Sequence, residues 1–142
     1  MKIRTSASAL TLAMLSVTAT PAVLAAGPET QRETIAPAFK EAIANVPGKT
    51  MTALIVDYPP GGKTPPHRHG SAFVVGYVLS GAIRSKIDND EERVYRAGEH
   101  WTEKPGVRHT VSENASDTEP AKLLAILVAD TKEKDLVTFD KK

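Results

Sequence analysis

The chain has 142 residues, 18 Lys and Arg against 17 Asp and Glu, and no cysteine. A formal charge of +1 gives no electrostatic ground for binding nucleic acid or anionic lipid. No disulfide can form, and any metal must be held through nitrogen and oxygen.

Lys2 and Arg4 are followed by a short, uncharged, mostly apolar stretch, Ala7 to Val17, and then by Val23-Leu24-Ala25. This is the layout of a secretory signal peptide, residues 1–25, cleaved near Ala25 with Ala26 the nearby alternative. The apolar stretch is too short to span a bilayer. The expected location is periplasmic or secreted, with no membrane association after cleavage. Loss of Lys2 and Arg4 turns +1 into −1, and 142 less 25 leaves 117 residues, the size of one domain.

In the segment 26–48, Ile35, Phe39 and Ile43 recur at helical spacing and Pro47-Gly48 ends the pattern. That spacing predicts one short N-terminal helix on the outside of the domain. From residue 49 to 130, short apolar runs alternate with turn signals: MTALIVDY, PPGGKTPP, FVVGYVLSG, AIRSKID, NDEE, RVYRAGE, HWTEKPG, VRHTVSENAS, KLLAILVAD. Such punctuation predicts an all-β sandwich or barrel. Asp88-Asn89-Asp90 reads as the turn of a hairpin. Residues 131–142, the lysine-rich TKEKDLVTFDKK, read as a solvated strand and tail rather than a binding site.

In a strand, side chains at i and i+2 share a face. His67 and His69 therefore project together, with Arg68 opposite. Trp101 and Glu103 form a second such pair, with His100 on the other side. Glu99 reads as a turn residue, and Arg84, Arg93 and Arg96 as solvated. Phe73, Tyr77 and Trp101 either line a pocket or belong to the core. No nucleophile elbow and no phosphate loop is present.

The stretch from Gly61 through His67-Arg68-His69 to Gly81 resembles the first motif of the cupin superfamily. Gly98, Gly106 and His109 resemble the second. The resemblance covers about residues 49 to 130. It implies a single double-stranded β-helix, a jelly-roll barrel, with a divalent transition metal (Fe, Mn, Ni, Cu or Zn) held by His67, His69 and His109. The chain departs from the motifs at Val74, where the first has a ligating glutamate. It departs again at Lys104-Pro105 and at Asn114, which look like local shifts.

Glu103 shares the inward face of Trp101 and is the candidate substitute, as fourth ligand or general acid/base. The alternative pairs it with Arg108 or Lys104 at the barrel mouth. Two functions follow from the resemblance. One is a metal-dependent enzyme, dioxygenase- or isomerase-like, acting on a small organic molecule. The other is a non-catalytic ligand-binding or sensing barrel with a structural metal or none. A homodimer through an open sheet edge is a further expectation.

Overall fold

A computed structural model describes residues 32–140; the expected signal peptide lies outside the described residues. Among the described residues, eleven strands form two antiparallel sheets. They are β1 (Thr34–Ala42), β2 (Lys49–Tyr58), β3 (Lys63–Thr64), β4 (His67–Arg68), β5 (Phe73–Ser80), β6 (Ala82–Ile87), β7 (Arg93–Arg96), β8 (His100–Glu103), β9 (Arg108–Asn114), β10 (Ala121–Asp130) and β11 (Thr138–Phe139). The first sheet runs β1-β2-β10-β5-β8 and the second β11-β4-β9-β6-β7, with β3 beside β9. This is an all-β double-stranded β-helix.

The inward faces follow from alternation. In β5, Val74, Gly76 and Val78 are buried, and Phe73 and Tyr77 are exposed. In β8, Trp101 and Glu103 are buried between exposed His100 and Thr102. Two apolar clusters fill the barrel. Val56, Val78, Ile83, Trp101 and Leu123 form one, and Ala72, Val74, Leu127 and Ala129 the other.

The expected N-terminal helix is instead strand β1, paired along its length with β2. Pro37 stands inside this segment. Proline disrupts a helix interior, but an edge strand tolerates it because its missing N–H can face solvent. A register shift between Pro37 and Phe39 turns Ile35 and Phe39 to opposite faces, which a helix would have kept together. Pro47-Gly48 is a hairpin turn rather than a helix stop: Ile43 N–H donates to the Lys49 carbonyl at 3.0 Å, and Gly48 has φ of 79°.

The C-terminal segment, expected as a strand and tail, supplies β11, which pairs with β4 so that Phe139 opposes His67. Arg108 Nη2 meets Asp140 Oδ2 at 2.5 Å, and Asp140 N–H donates to the Pro66 carbonyl at 3.2 Å. The barrel therefore takes strands from both sides of residues 49–130.

Gly76 and Trp101 are cross-strand partners. A Cβ at Gly76 would lie 2.5 Å from the indole carbons Cε2 and Cζ2, so only glycine leaves room for the ring. Overpacking of this kind costs about 1–3 kcal/mol. Gly76→Ala is expected to lower stability by that amount in urea unfolding. It is also expected to shift the emission of Trp101, the one tryptophan of the chain. Unchanged emission and midpoint would contradict the contact.

Candidate metal centre

Strand pairing places His67 directly opposite His109. His69 follows His67 on the same face, just past the end of β4. One ring nitrogen from each of the three lies within 4.8 Å of the others, and all three residues are buried. Three histidines thus form a group that can hold a metal ion.

Hydrogen bonds set the tautomers of the first two rings. His67 Nδ1 lies 2.8 Å from the Pro65 carbonyl and His69 Nδ1 lies 2.8 Å from the Leu136 carbonyl. A carbonyl oxygen only accepts, so both Nδ1 atoms carry the proton. In the neutral rings the two Nε2 atoms are then bare lone pairs, and they face each other at 3.1 Å. Two nitrogens that share an ion at about 2.1 Å stand at this kind of separation. Burial, joined by the charges of His109 and His69, pushes His67 down to about 4. Burial lowers His69 as well, against the pull of Glu103. Both rings are therefore neutral near pH 7, the form that ligates metal.

Glu103 is 3% exposed. Its Oε1 accepts the Trp101 indole N–H at 3.0 Å and faces His109 Nδ1 at 3.2 Å. Its Oε2 has no hydrogen-bond partner and lies 3.8 Å from His69 Nε2. An orphaned buried carboxylate oxygen is costly unless a cation completes it. Burial pushes this carboxyl up. The His109 hydrogen bond, the His109 and His69 charges and the Trp101 N–H outweigh it, and hold the group at about 2. Neither Lys104 nor Arg108 is its partner; Arg108 is held by Asp140.

Val74, at the position of the absent motif glutamate, is the cross-strand partner of Glu103. Facing residues of two paired strands bring their Cβ atoms to about 5 Å. A carboxylate thus occupies nearly the same region of the barrel, carried by β8 instead of β5. His109 completes the cluster: its Nε2 lies 2.9 Å from the Ser85 hydroxyl, which donates if Nδ1–H is given to Glu103. Coordination through His109 would exchange one of these hydrogen bonds for a metal bond. The bare nitrogen pair, the orphaned oxygen and the all-nitrogen-and-oxygen donor set fit a divalent transition ion.

A small cavity of about 50 Å³ opens beside the histidines. Among the described residues its walls are mostly apolar, with Leu54, Val56, Leu123 and Leu127, and hold no lysine or arginine. Ile35 of β1 and Val137 and Phe139 of the tail also line it. Tyr58 sits at one side, its hydroxyl 2.9 Å from Thr64 Oγ1 and 2.8 Å from Ser112 Oγ. Burial raises the Tyr58 phenol, so it stays protonated.

Of the expected pocket aromatics, only Trp101 lines the cavity. Phe73 and Tyr77, each 39% exposed, lie on the outer face of β5, because Val74 and Gly76 take the inward positions. Ser112 escapes a reading by alternation because a register shift at Lys86/Ile87 turns it inward together with His109. Nothing in the local sequence marks Leu136, whose contribution is a backbone carbonyl.

Residues 54–127 match the Cupin domain family, and the chain belongs to that family. No curated protein sequence matches it. Among solved structures it is similar to an uncharacterized conserved double-stranded β-helix protein from Klebsiella pneumoniae, with TM-score 0.61 and 16% identity over 81% of this chain and 90% of that one. It is also similar to a recombinant oxalate oxidase in complex with glycolate, with TM-score 0.59 and 23% identity over 80% of this chain and 57% of that one. A third similar structure is the DMSP lyase DddQ from Ruegeria pomeroyi, with TM-score 0.54 and 20% identity over 63% of this chain and 42% of that one. At these identities the likeness is one of fold.

Two outcomes are expected from this geometry. In the metal-free protein, His67 is held at about 4 against 6.5 ordinarily, and Glu103 at about 2 against 4.5. Between each pair of values the unfolded chain binds a proton that the folded chain refuses. Stability is therefore greatest above about pH 6.5 and falls on acidification, by on the order of 1–3 kcal/mol between pH 7 and pH 4. Urea midpoints measured in the presence of a chelator test this; a flat profile would contradict it. Removal of residues 131–142 deletes the Leu136 carbonyl that orients His69. The loss of such an orienting partner is expected to weaken metal affinity about 10–100-fold, as read by competition with a chromophoric chelator.

Proposed function

We propose that this protein is a metal-dependent enzyme, dioxygenase- or isomerase-like, acting on a small and largely apolar organic molecule. The observation that carries this reading is the pair of bare Nε2 atoms at 3.1 Å beside the orphaned Glu103 Oε2. His67, His69 and His109 would hold the ion, with Glu103 as fourth ligand or as a proton acceptor next to it. A divalent transition ion supplies Lewis acidity and, with three protein nitrogens, open positions for substrate.

The chain's own groups define the rest. Trp101 N–H and His109 keep Glu103 a carboxylate, so it is suited to accept a proton rather than to give one. The apolar walls exclude bulk water and favour an apolar body. With no lysine or arginine in the lining among the described residues, an anionic head group would have the ion to pair with. The hydroxyls of Tyr58, Thr64 and Ser112 can hydrogen-bond a single oxygen-bearing head. The oxidase and lyase among the similar structures show that such barrels accommodate enzymes. The N-terminal sequence supports an exported location for the mature chain.

Metal analysis of the protein, purified without a histidine tag beside a His67→Ala/His69→Ala variant, tests the reading. Near-stoichiometric metal in the wild type and its loss in the variant are expected. Glu103→Gln is expected to reduce turnover of any substrate found by about 10²-fold or more. Absence of metal after exposure to Fe, Mn, Ni, Cu and Zn would overturn the enzyme reading and leave a ligand-binding barrel.

A further inference from the structure

The cavity beside the histidines, about 50 Å³, has room for a few water molecules. It falls well short of the roughly 300 Å³ or more that a small-molecule site offers. An organic substrate therefore enters only if a wall moves. That need rests on the function proposed above; which wall is weakest does not.

Most of the walls are held by long ladders. Leu54, Val56, Leu123 and Leu127 stand on β2 and β10, which pair along their whole lengths. Val74 and Trp101 stand on β5 and β8, which pair with each other, and β5 pairs again with β10. Moving one of these strands breaks a continuous ladder and an apolar cluster. The tail is different. Thr131 is pinned by its N–H to the Gly48 carbonyl and by its hydroxyl to Thr50, each at 2.8 Å. Beyond it, among the described residues, the tail's ladder is the two residue pairs of β11 with β4, Thr138↔Arg68 and Phe139↔His67. Its side-chain and backbone ties to the barrel are single polar bonds: Ser71 to Glu133, Arg108 to Asp140, the Asp140 N–H to the Pro66 carbonyl, and His69 to the Leu136 carbonyl. Segments with few buried apolar contacts and exposed hydrogen bonds are the ones that open first.

The tail also stands at the entrance. Val137 and Phe139 line the cavity, and Phe139 is 44% exposed. A side chain that borders both the cavity and the solvent separates the two. The Phe139 ring centre lies 6.1 Å from that of His67 and 5.8 Å from the Arg32 guanidinium carbon. It thus spans from the histidines to the N-terminal segment.

We propose that residues 132–140 form a flap, hinged just after Thr131, that opens to admit substrate and closes by rebuilding the β4–β11 pairs. Closing does more than cover the cavity. The Leu136 carbonyl is the acceptor that holds His69 Nδ1–H, at 2.8 Å. With the flap open, the His69 ring loses this partner, and either of its nitrogens can carry the proton. With the flap closed, Nε2 is the bare atom and faces His67 Nε2 at 3.1 Å. Entry and ligand geometry are two consequences of one movement: the histidine cluster is complete only when the cavity is shut.

The chain has no cysteine, so an introduced pair can lock the flap. Arg68 and Thr138 face each other across β4 and β11, and both are exposed. Facing residues of an antiparallel pair lie within the span of a disulfide. The probe is diethyl pyrocarbonate, which acylates neutral imidazole. It is applied to the metal-free full chain in the presence of a chelator, and each histidine is read by peptide mass. His100, exposed on β8, is the internal standard. In Arg68→Cys/Thr138→Cys, oxidation is expected to slow modification of His67 and His69 by about tenfold or more relative to the reduced form of the same protein, with His100 unchanged. Asp140→Ala removes the Arg108 tie without touching the cavity. It is expected to speed both reactions by about threefold or more, with an unchanged circular-dichroism spectrum. Equal rates in the oxidised and reduced forms would overturn the proposal and place the entrance elsewhere, as at the open cleft lined by Tyr95 and Trp101. So would His67 and His69 that stay unmodified in the reduced protein while His100 is consumed. Cysteines that fail to bond in oxidising buffer would also overturn it, because the closing ladder would then be absent. Gated modification in a protein that binds no metal would keep the flap and remove the enzyme reading.

Discussion

Two hydrogen bonds to backbone carbonyls decide the character of this protein. Pro65 and Leu136 each take an Nδ1 proton, and the remaining lone pairs of His67 and His69 are left face to face at 3.1 Å. Like-signed electron density at that distance, away from water, is unfavourable until a cation or a proton comes between. Burial disfavours the proton by lowering both rings. The barrel therefore offers, between these rings, a position that a metal ion could fill.

The neighbouring groups respond to the same constraint. The first cupin motif here has Val74 where a glutamate is expected, and a carboxylate reappears on Glu103, its partner across the β5–β8 ladder. The substitution is possible because facing residues of adjacent strands reach the same interior region. Trp101 holds Glu103 from one side, and Gly76 makes room for Trp101. A residue with no side chain on β5 thus positions a carboxylate on β8, through the ring between them.

The chain termini do more for the site than their composition suggests. Strand β1 brings Ile35 to the cavity wall, and the tail brings Val137 and Phe139. The helical spacing of Ile35, Phe39 and Ile43 is compatible with a strand once a bulge changes the alternation. Lys132, Lys134 and Asp135 of the tail face solvent, while its Leu136 and Val137 are half-buried against the barrel. In both segments the local pattern is short, and a long-range pairing partner settles what it becomes.

By itself the sequence determined the residues that share a face: His67 with His69, and Trp101 with Glu103. It also determined the barrel class, through strands punctuated by glycine, proline and asparagine, and through motif spacings that bring His109 to the other two histidines. These features are local because side-chain direction alternates along a strand with period two. Tertiary structure alone decided that Glu103 stands opposite Val74, that Ser112 turns inward past a bulge, that Phe73 and Tyr77 face outward, and that Leu136 orients His69. Those depend on which strands pair and in what register. Register is fixed by the burial of whole faces against one another, not by any one segment.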